Sequence, residues 1–200
     1  EAGSQMANFE VDWDKLAETV NLSVRFLDNV VDANKYVSAV PEIEEAAHKV
    51  RRIGLSVMGL SDMMYMTGVR YGSSKGQELA SQIMEFIRYH SMMASIELAH
   101  VRGPFPGING SIYDPQNIVW SVPKPLVSHK TNFGRPEISW KKLLVELKKY
   151  GIRNGAQTTV ANCLSGPADG RRQLCADVHR AELGVGFGSC DRRPDQRADD

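Results

Sequence analysis

No run of about 18 apolar residues occurs anywhere in this 200-residue chain, so nothing in it reads as a membrane-spanning helix. Residues 1 to 9 carry neither the basic nor the apolar region of a signal peptide, and a cytoplasmic protein is the expectation. Excess charge is also missing: 24 lysines and arginines balance 24 aspartates and glutamates, which leaves no overall field to recruit nucleic acid or an anionic membrane. A phosphate-bearing ligand would have to be held by local geometry. Cysteine is absent until Cys163, and the three present, Cys163, Cys175 and Cys190, are odd in number and spaced unlike a secreted disulfide framework. Lysine is absent from residues 162 to 200, which hold six arginines and only Phe187 among the aromatic residues.

What is present is enough apolar material for a sizeable core, 42% of the residues. Trp13, Leu16, Ala17, Val20, Val24, Leu27 and Val31 recur at intervals of three and four, which predicts an amphipathic helix over 13 to 32 capped by Asp12. Pro41 opens a second helix, with Glu42, Glu44 and Glu45 at its positive end, running to about Arg52. From Ile53 to Leu60 small and apolar residues alternate, as in a short strand or a tight turn. Ser61 and Asp62 can cap a short helix ending at Gly68, in which Met63, Met64 and Met66 read as core filling.

Ser73 or Ser74 caps the longest helix, with Gln77 in the capping-box position of Ser74, and Leu79, Ile83, Phe86, Ile87, Ala94, Leu98 and Val101 on one face. His90 and His100 lie too far apart along its axis to share a metal and read as surface or core residues. Six prolines between Pro104 and Pro136 describe a surface loop, packed down by Phe105, Tyr113, Trp120 and Phe133. Ser139 caps a helix to Tyr150, ended by Gly151, and residues 152 to 160 read as a strand. This order suits an α/β layer architecture.

The chain divides in composition into residues 1–161 and an atypical tail, 162–200. A zinc site from Cys163, Cys175, His179 and Cys190 lacks the close paired spacing of structural zinc sites. Two other readings stand for the tail: a disordered extension, or translation out of frame, which an arginine-rich, lysine-free composition fits.

Several segments, in order and spacing, resemble the large catalytic subunit of ribonucleotide reductases over residues 10 to 161. They are Val11-Asp-Trp-Asp-Lys-Leu16, then Leu22-Ser-Val-Arg-Phe-Leu-Asp-Asn-Val-Val-Asp32; Arg51-Arg-Ile-Gly-Leu-Ser-Val-Met-Gly-Leu60; Gly68-Val-Arg-Tyr71; Ala94-Ser-Ile-Glu-Leu-Ala99; Phe105-Pro106 leading to Ser111-Ile-Tyr113; and Trp140 to Gly155. The run Gly151-Ile-Arg-Asn-Gly-Ala-Gln-Thr-Thr-Val-Ala161 is most similar to the adenosylcobalamin-dependent class, in which such a strand leads into a phosphate-binding loop. Here Asn162-Cys163-Leu164-Ser165 stands where that loop would begin, which leaves Thr158, Thr159 and Ala161 as the edge of a substrate-phosphate site.

The resemblance implies a helix-rich part of the family's ten-stranded α/β barrel. It also implies thiyl-radical reduction of a ribonucleotide to a deoxyribonucleotide, with adenosylcobalamin as radical source. Its implied partners are the ribonucleotide substrate, nucleotide effectors, a thioredoxin-like or other dithiol reductant, and a second copy in a homodimeric parent. The family's radical-bearing cysteine and one of its redox cysteines precede the matched part, and none of the three cysteines here fits either role. The chain alone is therefore expected to be inactive. Two rival readings are a non-enzymatic helical interaction module and a zinc-binding regulator built on the tail.

Overall fold

Asp12 starts the first helix, its carboxylate accepting the Lys15 amide at 2.9 Å and so satisfying one of the unpaired donors of the first turn. The structure, a computed structural model, describes residues 9–159. That first helix, α1, spans Trp13–Ala33 and buries Trp13, Leu16, Val20 and Val24 along the expected stripe, with one unexpected member, Asp28. Helix α2, Pro41–Val50, is opened by its proline but is shorter than expected, because Arg51 turns out of it in the left-handed region (φ 48°, ψ 50°).

Helix α3 spans Leu60–Met66 and begins after Gly59, whose φ of 75° makes the turn; Ser61 and Asp62 fall inside the first turn and do not cap it. Met64 is buried, as core filling requires. Helix α4, Ser74–Arg102, has 29 residues and is about 43 Å long. Ser73 caps it through the Gly76 amide, which puts Gly76 rather than Gln77 at the third position and removes the expected capping box. Helix α5, Trp140–Tyr150, is capped by Ser139 and closed by Gly151, as its sequence predicts.

Helix α4 is the spine. Its first half packs Leu79, Ile83, Phe86 and Ile87 against Trp13, Leu16 and Val20 of α1, with Trp13 and Phe86 edge to face at 5.0 Å. Its second half packs Tyr89, Met92 and Ile96 against Leu143 and Leu147 of α5 and against Phe105, Ile108, Tyr113 and Trp120 of the proline-rich loop, which does pack down. Val101 departs from the expected buried face and is 76% exposed.

The strand expected over 152 to 160 is reduced, within its described residues, to one parallel bridge between Leu55 and Thr158, and residues 53–59, read as a short strand or a tight turn, are irregular apart from that bridge. The Leu55 amide donates to the Gln157 carbonyl and the Thr159 amide to the Leu55 carbonyl, both at 2.9 Å; Ile53 donates to Ala156 one residue out of that register. Neither segment has a second strand neighbour among the described residues, and a lone pair does not propagate a ladder. The expected α/β layering is thus corrected, for these residues, to five helices around one parallel bridge. The tail, with Cys163, Cys175, His179 and Cys190, lies outside the described residues.

Candidate functional site

The segment that follows α5 is threaded through the molecule by its backbone. Phe105 donates to the Ile152 carbonyl (3.1 Å), Arg153 donates to the Ser95 carbonyl of α4 (3.1 Å), and Gly155 donates to the Val50 carbonyl at the end of α2 (2.9 Å). Position 155 has to be glycine for this approach: a Cβ there would lie 2.6 Å from Val50 Cγ1 and 2.9 Å from its carbonyl oxygen. The chain then pairs with Leu55 and leaves the bridge through Thr158, partly buried, and Thr159, exposed.

Beneath the bridge is a buried polar network that sequence periodicity did not reveal. Asp28, fully buried, receives Arg51 through Nε at 3.0 Å and Nη2 at 2.9 Å, Asn154 Nδ2 at 3.0 Å, Arg102 Nη1 at 3.1 Å and Arg153 Nε at 3.5 Å. Arg51 also grips Asp32, with contacts of 2.7 and 2.9 Å. Burial works against the Arg51 charge, but Asp32 and Asp28 outweigh it and hold the guanidinium more firmly protonated than usual. The Arg51 hydrogen bond conversely pulls the Asp32 carboxyl below its ordinary range. These charge-assisted bonds offset the cost, about 1–3 kcal/mol, of holding a non-glycine residue in the left-handed region. Arg153 adds a second function: its Nη1 caps α4 by donating to the carbonyls of Arg102 (3.3 Å) and Gly103 (3.1 Å).

Asn154 joins these parts. Its Nδ2 donates to Asp28 and to the Arg51 carbonyl (3.1 Å), its Oδ1 accepts from the Ser95 hydroxyl (2.8 Å), and its own amide donates to that same hydroxyl (3.0 Å). Gln157 Nε2 closes back onto the Asn154 carbonyl. Among the described residues no buried side-chain nitrogen or oxygen lacks a partner, so the network is fully satisfied by hydrogen bonds within the chain.

The expected site residues therefore fare differently. Thr158 and Thr159 are brought to the carboxyl end of a parallel pair, the end at which α/β proteins bind ligands. The Thr159 amide is already used by Leu55, which leaves its exposed side chain as its contribution. Ala161 lies outside the described residues. His90 packs on Phe86 and Tyr89 with its pKa lowered by burial, and His100 stacks on Tyr150 at 4.1 Å. No group of three His, Cys, Asp or Glu able to hold a metal ion occurs among the described residues. The network did leave one signal in the sequence: Asp28 occupies the next position, four residues on, in the stripe that runs through Val20 and Val24.

Known proteins match this chain over much of its length. The family model described as ribonucleotide reductase, barrel domain, matches residues 4–165. A vitamin B12-dependent ribonucleoside-diphosphate reductase of Mycobacterium tuberculosis is 42% identical over 106 residues, 53% of this chain and 15% of that protein. A protein of the same name from Thermoplasma acidophilum is 40% identical over 109 residues, 54% of this chain and 14% of that protein. A ribonucleoside-diphosphate reductase subunit alpha of Chlamydia pneumoniae is 31% identical over 159 residues, 77% of this chain and 15% of that protein. The chain thus spans only 14% to 15% of the length of these relatives.

Proposed function

Since this chain belongs to the ribonucleotide reductase family through its barrel domain, we propose that it forms part of the barrel of a vitamin B12-dependent reductase and supplies one edge of the substrate-phosphate site. The observation that carries this reading is the parallel Leu55–Thr158 bridge, which delivers Thr158 and Thr159 to the carboxyl end of the pair. Ala161, which lies outside the described residues, is assigned to the same site by resemblance. In this role the chain does no bond-breaking itself. The Thr158 and Thr159 hydroxyls orient the ribonucleotide by its phosphate, and the packed helices behind them hold the edge still. The reactive thiols come from elsewhere in the parent enzyme, so the isolated chain gives no deoxyribonucleotide.

The choice of the cobalamin class rests on residues 151 to 161 and on the names of the Mycobacterium and Thermoplasma relatives. What the described residues offer is a groove of about 450 Å³ beside Tyr89, His90, His100 and Tyr150, and nothing on them identifies a corrin site. No step is therefore assigned to the cofactor here. For the intact enzyme the reading also carries nucleotide effectors, a thioredoxin-like or other dithiol reductant and a homodimeric parent. The helical-module and zinc-regulator readings have no supporting observation among the described residues.

The test is kinetic, in the full-length reductase carrying this segment. Thr158→Ala and Thr159→Ala together should raise KM for the ribonucleotide about tenfold or more, as expected for losing a hydrogen bond to a charged group. An unchanged KM in a folded variant would contradict the assignment.

A further inference from the structure

We propose that Asn154 is a positioning residue for this edge: its side-chain amide, buried between Asp28, Arg51 and Ser95, sets the register in which Thr158 and Thr159 lie against Leu55. The inference rests on the phosphate-edge reading above and deepens it. Asn154 is fully buried, and each polar atom of its side chain has an assigned direction. The Nδ2 side must donate, because it faces a carboxylate oxygen and a carbonyl; the Oδ1 side must accept, because the Ser95 hydroxyl comes to it while receiving the Asn154 amide. Aspartate at this position would place a second carboxylate about 3 Å from Asp28 in a buried site, and leucine would leave the Arg51 carbonyl and the Ser95 hydroxyl short of partners.

The same residue reaches forward. Its carbonyl accepts from Gln157 Nε2, and Gln157 is itself buried and is the residue whose carbonyl receives Leu55. Position 154 is thus tied to α1, to the end of α2 and to α4. Position 157 is tied to position 154, and Thr158 follows directly. Ser95, 59 residues away in sequence, is the other half of the clasp. Neither Asn154 nor Ser95 reaches the exposed edge, so both act through Thr158 and Thr159 and not on a ligand.

The full-length reductase carrying Asn154→Ala, Ser95→Ala or Thr158→Ala is assayed with CDP as substrate and unphosphorylated cytidine as competing inhibitor, alongside a melting curve. The inference expects Asn154→Ala and Ser95→Ala to raise KM for CDP about tenfold while the cytidine inhibition constant stays put, since only the phosphate contact is misplaced. Lower melting temperatures with KM unchanged would overturn it, and so would equal weakening of CDP and cytidine, which marks general loosening. Should Asn154→Ala fail to fold, Ser95→Ala decides, because it removes a single oxygen atom. If Thr158→Ala leaves KM unchanged, the phosphate reading itself falls; if Thr158→Ala raises KM and the other two do not, only the positioning inference falls.

Discussion

Asp28 is the residue whose replacement should hurt this fold most. It faces Arg51, Arg102 and Arg153 from a fully buried position, and removing it opens a void, deprives the buried Arg51 of its buried carboxylate and takes one partner from Arg102 and Arg153. Asp28→Ala is expected to destabilise the chain by about 3–5 kcal/mol, the range for breaking a buried ion pair from one side; urea denaturation measures it, and a loss under about 1 kcal/mol would show that the network is dispensable. Asp32, Glu78, Glu85 and Asp114 are all held below their ordinary range, Glu78 and Asp114 by backbone amides and Asp32 and Glu85 with help from an arginine. The Arg51 hydrogen bond is the main cause lowering the Asp32 carboxyl, whereas for Glu85 burial is the largest influence and raises it, but Arg135 and Trp140 together outweigh burial. Asp32 and Glu85 both titrate lower folded than unfolded, so their contribution is complete above the unfolded carboxylate range, about pH 4, and is lost as pH falls through the folded values. Asp32→Asn with Glu85→Gln should flatten the fall of Tm between about pH 5 and pH 3; an unchanged acid slope would mean that other groups control it. At this scale the sequence was least legible. Asp28 reads as one more position of a helix, and nothing local pairs it with Arg51, 23 residues on, until the left-handed turn at Arg51 aims the guanidinium back at α1.

The helices were legible because their signals are local. Asp12, Ser73 and Ser139 each cap through an amide three residues on, and Pro41, Gly103 and Gly151 mark ends. The start of α3 was not, because Gly59 makes it by backbone conformation while Ser61 and Asp62 only resemble caps. The strand over 152 to 160 was misjudged for a different reason: a β-branched segment states a preference, but a parallel ladder exists only where neighbours supply it. Thr158 and Thr159 were assigned to a phosphate edge by resemblance alone, whereas the contact that positions their segment, Gly155 against Val50, is a tertiary fact. Gly155→Ala tests it. The added Cβ would meet Val50 Cγ1 at 2.6 Å and the carbonyl at 2.9 Å, so the segment must shift at a cost of about 1–3 kcal/mol. Thermal unfolding reads this, and an unaltered Tm would show that the approach of the two backbones is not tight.

Taken whole, the described part of the molecule is a spine helix, α4, against which both α1 and α5 pack, with a parallel bridge anchored by charge. No helix among the described residues is long and apolar enough to cross a membrane. Leu22 and Phe26 on α1 are 67% and 65% exposed, on the side away from its buried stripe. The family match covers residues 4–165, while the relatives are several times longer. The most direct measurement is deoxyribonucleotide formation by a chimera: the Mycobacterium tuberculosis vitamin B12-dependent reductase with its matching stretch replaced by residues 9–159 of this chain, assayed with and without adenosylcobalamin. The account predicts turnover that requires adenosylcobalamin, and none from the 200-residue chain alone. A chimera that melts cooperatively yet forms no deoxyribonucleotide, or turnover by the isolated chain, would contradict it.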